Sequence, residues 1–241
     1  MMHRLPRIFC YHTISAYPFP CSAGVETSPE TFARQMELLK RKYEVLPLAE
    51  IVGALRDKKR LPRNAAAITF DDGYRDNYLN AFPVLKSLGL SATIFCAASQ
   101  LQNRIWLPTS DWQGLEIEML RKGDVAEMKA HGISFGSHGN AHSRLDQMDE
   151  PEVRRELEES RKFLREFCGG DVEYFCYPFG SFNEKVKHLA REAGYQAAFA
   201  VWNPEPDLFS LTRIPIHRRD CYWRFRFKAA FYLQLRKYLK R

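Results

Sequence analysis

The sequence predicts an α/β fold built on parallel strands, with its chemistry at their C-terminal ends. Two observations carry this. Short apolar and β-branched runs alternate with segments of helical period along most of the chain, the β-α-β-α order of a parallel sheet or barrel. In addition, the run Ala66-Ala67-Ile68-Thr69-Phe70 ends directly on two carboxylates, Asp71 and Asp72, before Gly73 lets the chain turn. Adjacent strand residues point to opposite faces, so the two acids can share a site only where the strand ends. That end is where α/β enzymes keep their chemistry.

Taken in order, Arg7–His12 reads as a first strand ending on a histidine. Ser28 and Pro29 form a helix start, cap then proline, and Phe32, Met36, Leu39 and Tyr43 follow on one helical face. A short strand near Val45 precedes a helix over Leu48–Leu55, and a basic loop leads to the Asp71 strand. A helix from about Asn77 to Leu88 stops at Gly89, and Ala92–Cys96 is the next strand. Ser99–Gln113 reads as a loop holding Trp106, Asp111 and Trp112. A helix over Gly123–Ala130 leads to the strand Ile133–Ser137, which ends at His138. Asp149 and Glu152 open a helix as a capping box, with Val153, Leu157, Leu164 and Phe167 on its apolar face. Tyr174–Tyr177 is a strand ending in Pro178-Phe179-Gly180; a helix to Ala193 follows, then strands at Ala197–Val201 and Leu211–Ile216.

At 241 residues, with 45% hydrophobic and 13% aromatic residues, the chain suits one large α/β domain and not a disordered chain. No apolar run approaches the roughly 18 residues that span a bilayer. Ile8–Tyr11 is too short for a signal-peptide core, so a cytoplasmic location is expected. Six cysteines without a CxxC pair imply reduced thiols rather than a disulfide framework or zinc ribbon. The formal charge of +7 lies wholly in residues 221–241, which hold seven basic residues and no acid. Residues 1–220 are neutral on balance, which speaks against a nucleic-acid-binding core. The expected division is a main domain over 1–220 and a basic, aromatic C-terminal helix over 221–241.

His138 and His142 flank Gly139-Asn140-Ala141 just after a strand. At i, i+4 their imidazoles converge on one ion if the loop enters a helical turn. Two histidines and one carboxylate leave positions open for water and substrate, as a catalytic metal requires. Either Asp71 or Asp72 can complete the set, leaving the other free to act as a base.

These residues resemble the polysaccharide deacetylase family, carbohydrate esterase family four with its NodB-homology domain. The resemblance rests on Thr69-Phe70-Asp71-Asp72-Gly73-Tyr74, on Ser137-His138-Gly139-Asn140-Ala141-His142 and on Tyr177-Pro178-Phe179-Gly180, and covers roughly residues 7–216. Tyr11-His12-Thr13 and Phe175–Gly180 are closer to the branch that includes poly-N-acetylglucosamine deacetylases, where the histidine-bearing strand stands at the N-terminus. The resemblance implies a distorted (β/α) barrel of about seven parallel strands. It also implies metal-dependent removal of acetyl groups from N-acetylated sugars of a glycan or glycan precursor. Asp71 would be the general base, and Asp72, His138 and His142 the ligands of a divalent metal. Zinc is the first expectation, and the same donors accept cobalt, nickel or iron. His12 would be the general acid, with His217 as the alternative, and the Phe179 N–H would help hold the oxyanion. Tyr177 and Trp112 join Phe179 as expected substrate contacts.

Three departures from the family pattern stand out. Cys176 occupies the position of an arginine that orients the base in many members, Gly139 replaces a Ser or Thr, and Phe179 replaces a tyrosine. Rival readings are an inactive or metal-free carbohydrate-binding adaptor and a metal-dependent amidase acting on a non-sugar amide. In the tail, Phe227, Phe231, Leu235 and Tyr238 share one face of a helix over Phe225–Arg241. That face either packs on the barrel or lies in the headgroup boundary of an anionic membrane, with the basic residues on lipid.

Overall fold

A computed structural model describes residues 6–16, 24–107, 115–201, 203 and 205–235. Trp112 and the basic residues after Leu235 lie outside the described residues, as does the side chain of Trp106. Eleven strands are described: β1 (Arg7–Tyr11), β2 (Glu44–Val45), β3 (Ala65–Phe70), β4 (Ala92–Cys96), β5 (Arg104–Leu107), β6 (Leu115–Glu118), β7 (Ile133–Ser137), β8 (Tyr174–Cys176), β9 (Ala197–Ala200), β10 (Leu211–Thr212) and β11 (Ile214–Pro215). Between them run α1 (Pro29–Lys42), α2 (Leu48–Arg56), α3 (Phe82–Leu88), α4 (Lys122–Ala130), α5 (Glu150–Cys168) and α6 (Glu184–Glu192), and α7 (Tyr222–Leu235) follows the last strand.

Eight strands pair in parallel in the order β10-β9-β8-β7-β4-β3-β1-β11. The two edges of this sheet, β10 and β11, are consecutive in the chain with only Arg213 between them. One short segment therefore pairs with β9 on one side and β1 on the other, curling the sheet into a barrel. The single strand expected over Leu211–Ile216 is in fact these two, which raises the parallel count from the expected seven to eight. β2 flanks the first half of β3 and β4 its second half.

Strand alternation sorts the barrel into two apolar layers. Inward positions include Ile8, Ala67, Phe95, Tyr174, Cys176, Ala197, Phe199 and Leu211, and Leu48, Ile51 and Val52 of α2 join them at the end where the strands begin. Outward positions such as Phe9, Ile68, Phe70, Ile94 and Phe175 pack under the surrounding helices. The inward parity of β3 carries on from Ala67 and Thr69 to Asp71, which places that carboxylate at the inner mouth of the barrel.

Three expectations need correction. The Ser99–Gln113 loop instead contains β5, which pairs antiparallel with β6 and is tied to it by Arg104 reaching Glu116 and Glu118. The helix expected from Asn77 begins as a π-helical turn, Asn77–Ala81, before α3. The third concerns α7, which starts at Tyr222 and buries Phe225 and Ala229 rather than the Phe227/Phe231 face. Phe225 is drawn inward by Phe9, its ring 5.2 Å away, and Arg7 Nε donates to the Ala229 carbonyl at 2.6 Å.

Gly136 on β7 is required by close approach. A Cβ there would lie 2.6 Å from two carbons of the Phe95 ring and 3.0 Å from the Tyr174 carbonyl oxygen. Overpacking of this kind costs typically about 1–3 kcal/mol. Gly136→Ala is expected to lower the urea midpoint accordingly with an unchanged m-value, and an unchanged midpoint would show that the Phe95 ring moves aside freely.

Candidate active site

The site is assembled from the C-terminal ends of β1, β3, β7 and β8 and from Arg213. Five non-glycine residues have positive φ among the described residues, and three of them are Asp72 (φ 72), His142 (φ 58) and Phe179 (φ 59). Such conformations cost of order 1–3 kcal/mol each and gather where geometry serves function.

The two carboxylates have different surroundings. Asp71 is gripped by Arg213 through two hydrogen bonds, Nη1 to Oδ1 at 2.6 Å and Nη2 to Oδ2 at 2.7 Å, both side chains being almost wholly buried. Arg213 also donates to Thr69 Oγ1 and lies over the Phe95 ring. Cys10 and Cys176 point their thiols at Asp71 Oδ2 from 3.4 and 3.6 Å, and burial pushes both thiols up, so they remain protonated donors. Burial disfavours the Asp71 charge, but the guanidinium and the neighbouring His138 outweigh it and hold the carboxyl well below the usual carboxylate range. His12 stands on the open side of the same carboxylate, Nε2 3.9 Å from Oδ2.

Asp72 turns the other way. Its left-handed backbone swings it off the strand, and its buried Oδ1 has no hydrogen-bond partner among the described residues. His138 Nε2 and His142 Nε2 approach that oxygen to 3.4 and 3.3 Å. In a tetrahedral zinc site with bonds of about 2.0–2.1 Å, neighbouring donor atoms lie about 3.3–3.4 Å apart. An orphaned carboxylate oxygen and two imidazole nitrogens at that spacing fit a divalent cation. The Cys176 carbonyl accepts from His138 Nδ1 at 2.8 Å, which fixes the tautomer and presents Nε2 to the site. Two further groups could also hold an ion, Cys10/His12/Asp71 and Asp71/His138/Cys176, but both include the carboxylate already committed to Arg213.

The histidines do not converge by a helical turn, as the i, i+4 spacing led one to expect. The loop after β7 is held open by Glu156 of α5, whose carboxylate accepts from the Asn140 and Ala141 N–H groups at 2.7 and 3.1 Å. Gly139 is left-handed (φ +78), and a Cβ there would meet Glu156 Oε2 at 3.0 Å. Glycine in place of the family's Ser or Thr thus goes with this carboxylate clasp. Glu156 and Ser160 were visible in the sequence as polar residues interrupting the apolar stripe of α5. Arg213 was likewise visible as a lone cation in an apolar strand, and it supplies from another strand the guanidinium missing at Cys176.

A second clasp holds the His12 loop. Asn77 Nδ2 donates to the His12 carbonyl and Asn80 Nδ2 to that of Ile14, both at 2.7 Å, while Thr13 donates its hydroxyl to Asp76. Burial pushes the Asp76 carboxyl up to about 6 against its hydrogen bonds from Thr13, the Ile14 N–H and Asn77. The π-helical turn at Asn77–Ala81 thus carries two of the donors that fix His12.

The remaining sequence candidates are placed as follows. Phe179 is exposed, its ring 4.6 Å from the His142 ring with the Arg144 guanidinium also 4.6 Å from it. Tyr177 is buried, donates its hydroxyl to the Phe209 carbonyl and stacks on Phe182, and its backbone N–H and carbonyl pair with Phe199 and Gly180, so it is not placed as the expected substrate contact. His217 follows β11, in register beside His12, and lines a cleft with Arg218, Arg219 and Lys228. It belongs to none of the three metal-competent groups.

These contacts generate a metal-binding prediction. Asp72→Ala, His138→Ala and His142→Ala should each lower zinc affinity by at least about tenfold in calorimetric titration, whereas a normal affinity in one variant would remove that residue from the set. Burial pulls the His138 pKa down, but Cys176, Asp71 and Asp72 pull it up further, well above an ordinary histidine. A bound cation must displace that proton, so affinity should weaken as pH falls.

The chain is also similar to known proteins. A profile of the polysaccharide deacetylase family matches residues 58–198. The Bacillus subtilis (strain 168) protein YxkH, which carries the family's name, is 30% identical over 194 residues, 80% of this chain and 63% of its own length. A poly-beta-1,6-N-acetyl-D-glucosamine N-deacetylase of Staphylococcus aureus (strain MSSA476) is 24% identical over 72% of this chain and 60% of that protein. The chain thus spans about three fifths of these curated relatives. The fold is shared with the Streptococcus pyogenes deacetylase PplD in complex with acetate, at TM-score 0.78 and 23% identity over 94% of this chain and 98% of that one. With the family profile matching more than half of its length, the chain belongs to the polysaccharide deacetylase family.

Proposed function

We propose that the chain is a metal-dependent N-deacetylase that hydrolyses the acetamide of N-acetylated sugars in a glycan or glycan precursor. The observation that carries this reading is the separation of two adjacent carboxylates: Asp72 faces two imidazole nitrogens, while Asp71 is held apart by Arg213. The substrate of the Staphylococcus aureus relative makes β-1,6-linked N-acetylglucosamine polymers the first class to try.

Asp72, His138 and His142 would hold a divalent cation, with zinc the first to try and cobalt, nickel or iron accepted by the same donors. Bound there, it supplies Lewis-acid polarisation of the acetyl carbonyl and a lowered pKa for a nearby water. Asp71 takes the proton of the attacking water. Its low pKa keeps it ionised through neutral and mildly acidic pH, so its power as a base rests on position. The Phe179 N–H donates to the developing oxyanion, and the exposed Phe179 ring stands beside His142. His12 hands a proton to the departing amine as the C–N bond breaks, giving acetate and a free amino sugar.

The test is acetate release from a panel of N-acetylated glycans and small amides, with and without chelator. Release from N-acetylglucosamine oligomers that stops with chelator is expected. Release from non-sugar amides alone would move the chain to the amidase reading, and no release with metal bound would favour a carbohydrate-binding adaptor.

Variants separate the roles. Asp71→Asn should retain metal and lose at least about 10²-fold in rate. Its thermal stability is to be measured alongside, because removing one partner of a buried pair costs about 3–5 kcal/mol. Near-normal turnover would exclude Asp71 as the base. His12→Ala should lose activity with metal intact, and loss in His217→Ala alone would transfer the acid role to the neighbouring strand.

A further inference from the structure

Helix α7 places its largest apolar side chains where nothing in the described fold covers them. Trp223, Phe227 and Phe231 are 69, 58 and 45% exposed, the three most C-terminal of the exposed large hydrophobics. They recur every four residues on one helix whose opposite face, Phe225 and Ala229, is buried. The Phe227 and Phe231 rings lie 5.1 Å apart, so the stripe is continuous.

The charges around the stripe identify its partner. At about 100° per residue, Arg226 projects about 60° to one side of Trp223 and Arg224 about 20° beyond Phe231 on the other. The stripe is therefore rimmed by guanidinium groups on both flanks, and Arg226 stacks over the Trp223 ring. Arg219, Arg224 and Arg226 make no ion pair among the described residues, whereas Lys228 and Arg218 are committed to Asp220 and Glu26. Residues 221–241 contain no acid, and Arg-Lys-Tyr-Leu-Lys-Arg follows Leu235 in the sequence. Exposed aromatics flanked by arginines, with no compensating acid, are the composition of a helix that lies in a headgroup boundary. A protein partner of mixed charge does not call for such one-sided cation placement.

We propose that α7 is a docking surface for an anionic lipid bilayer, with Trp223, Phe227 and Phe231 entering the interface and Arg219, Arg224 and Arg226 on the headgroup phosphates. This stripe shares Phe227 and Phe231 with the Phe227/Phe231/Leu235/Tyr238 face expected from sequence; with Phe225 in the core position, that face points away from the barrel. No helix among the described residues is long and apolar enough to cross a membrane, so the contact is peripheral. Cations near an anionic surface add favourable attraction, which together supports reversible binding. α7 runs from the rim beside His217 back to Arg7 at the start of β1, so docking would lay the barrel on its side with its mouth near the surface. The inference stands on this face alone and is independent of the deacetylase reading.

The full chain is sedimented with vesicles of phosphatidylglycerol and phosphatidylcholine, and with phosphatidylcholine alone, at low and high salt. Pelleting with the anionic vesicles at low salt, weakened by salt, and a blue shift of tryptophan emission are expected. The variants Trp223→Ser/Phe227→Ser/Phe231→Ser and Arg224→Glu/Arg226→Glu should each reduce binding at least about tenfold with unchanged thermal midpoints, as the altered side chains are exposed. No pelleting with anionic vesicles at low salt would overturn the proposal, as would equal pelleting of both variants. A dimer in solution that the triple-serine variant converts to monomer would also overturn it, by showing that a second copy covers the stripe.

Discussion

The ion pair between Arg213 and Asp71 is the contact on which the rest of the site depends. A buried pair repays its desolvation only when geometry is near ideal and the remaining donors find partners. Here the fork is bidentate, Thr69 and Cys176 take further guanidinium contacts and Phe95 lies beneath, while Arg213 Nε has no hydrogen-bond partner among the described residues. Arg213 is also the one residue between the two edge strands of the sheet. The segment that closes the barrel therefore delivers the cation that orients the Asp71 carboxylate. Closure of the fold and division of the acids are one event.

That division decides what Asp72 can do. With Asp71 held by Arg213 and two thiols, the neighbouring carboxylate is left with an orphaned oxygen and two imidazoles. Maintaining this requires left-handed backbone at Asp72, His142 and Phe179. Polar clasps from outside the motif support this arrangement: Glu156 holds the loop after β7 that bears His142, and Asp76, Asn77 and Asn80 fix the His12 loop after β1. Such groups touch no substrate, yet they set the angles at which the imidazoles meet.

The fold and the site's residue types were legible in sequence because they depend on local pattern. The strand ending at Asp71 and Asp72, the capping box at Asp149 and the proline start of α1 all declare themselves within a few residues. What was not legible depends on contacts between segments distant in the chain. Arg213 lies 142 residues from its carboxylate, and nothing local says which acid it will meet. The same holds for the curve of the 138–142 loop, which α5 imposes through Glu156. In α7 the sequence pattern pointed to the Phe227/Phe231 face, and contact with Phe9 buried the side bearing Phe225 instead. The exposed face is consequently the one that carries the aromatic stripe Trp223, Phe227 and Phe231.

Three groups of side chains in the barrel mouth have donor atoms close enough to share an ion, and only one leaves Asp71 with its guanidinium. Crystals grown with zinc and measured at the zinc absorption edge distinguish the three in a single anomalous difference map. The division of the acids predicts one peak, bonded to Asp72 Oδ1, His138 Nε2 and His142 Nε2, with Asp71 still paired to Arg213. A peak bonded to Asp71, with either Cys10 and His12 or His138 and Cys176, would contradict it.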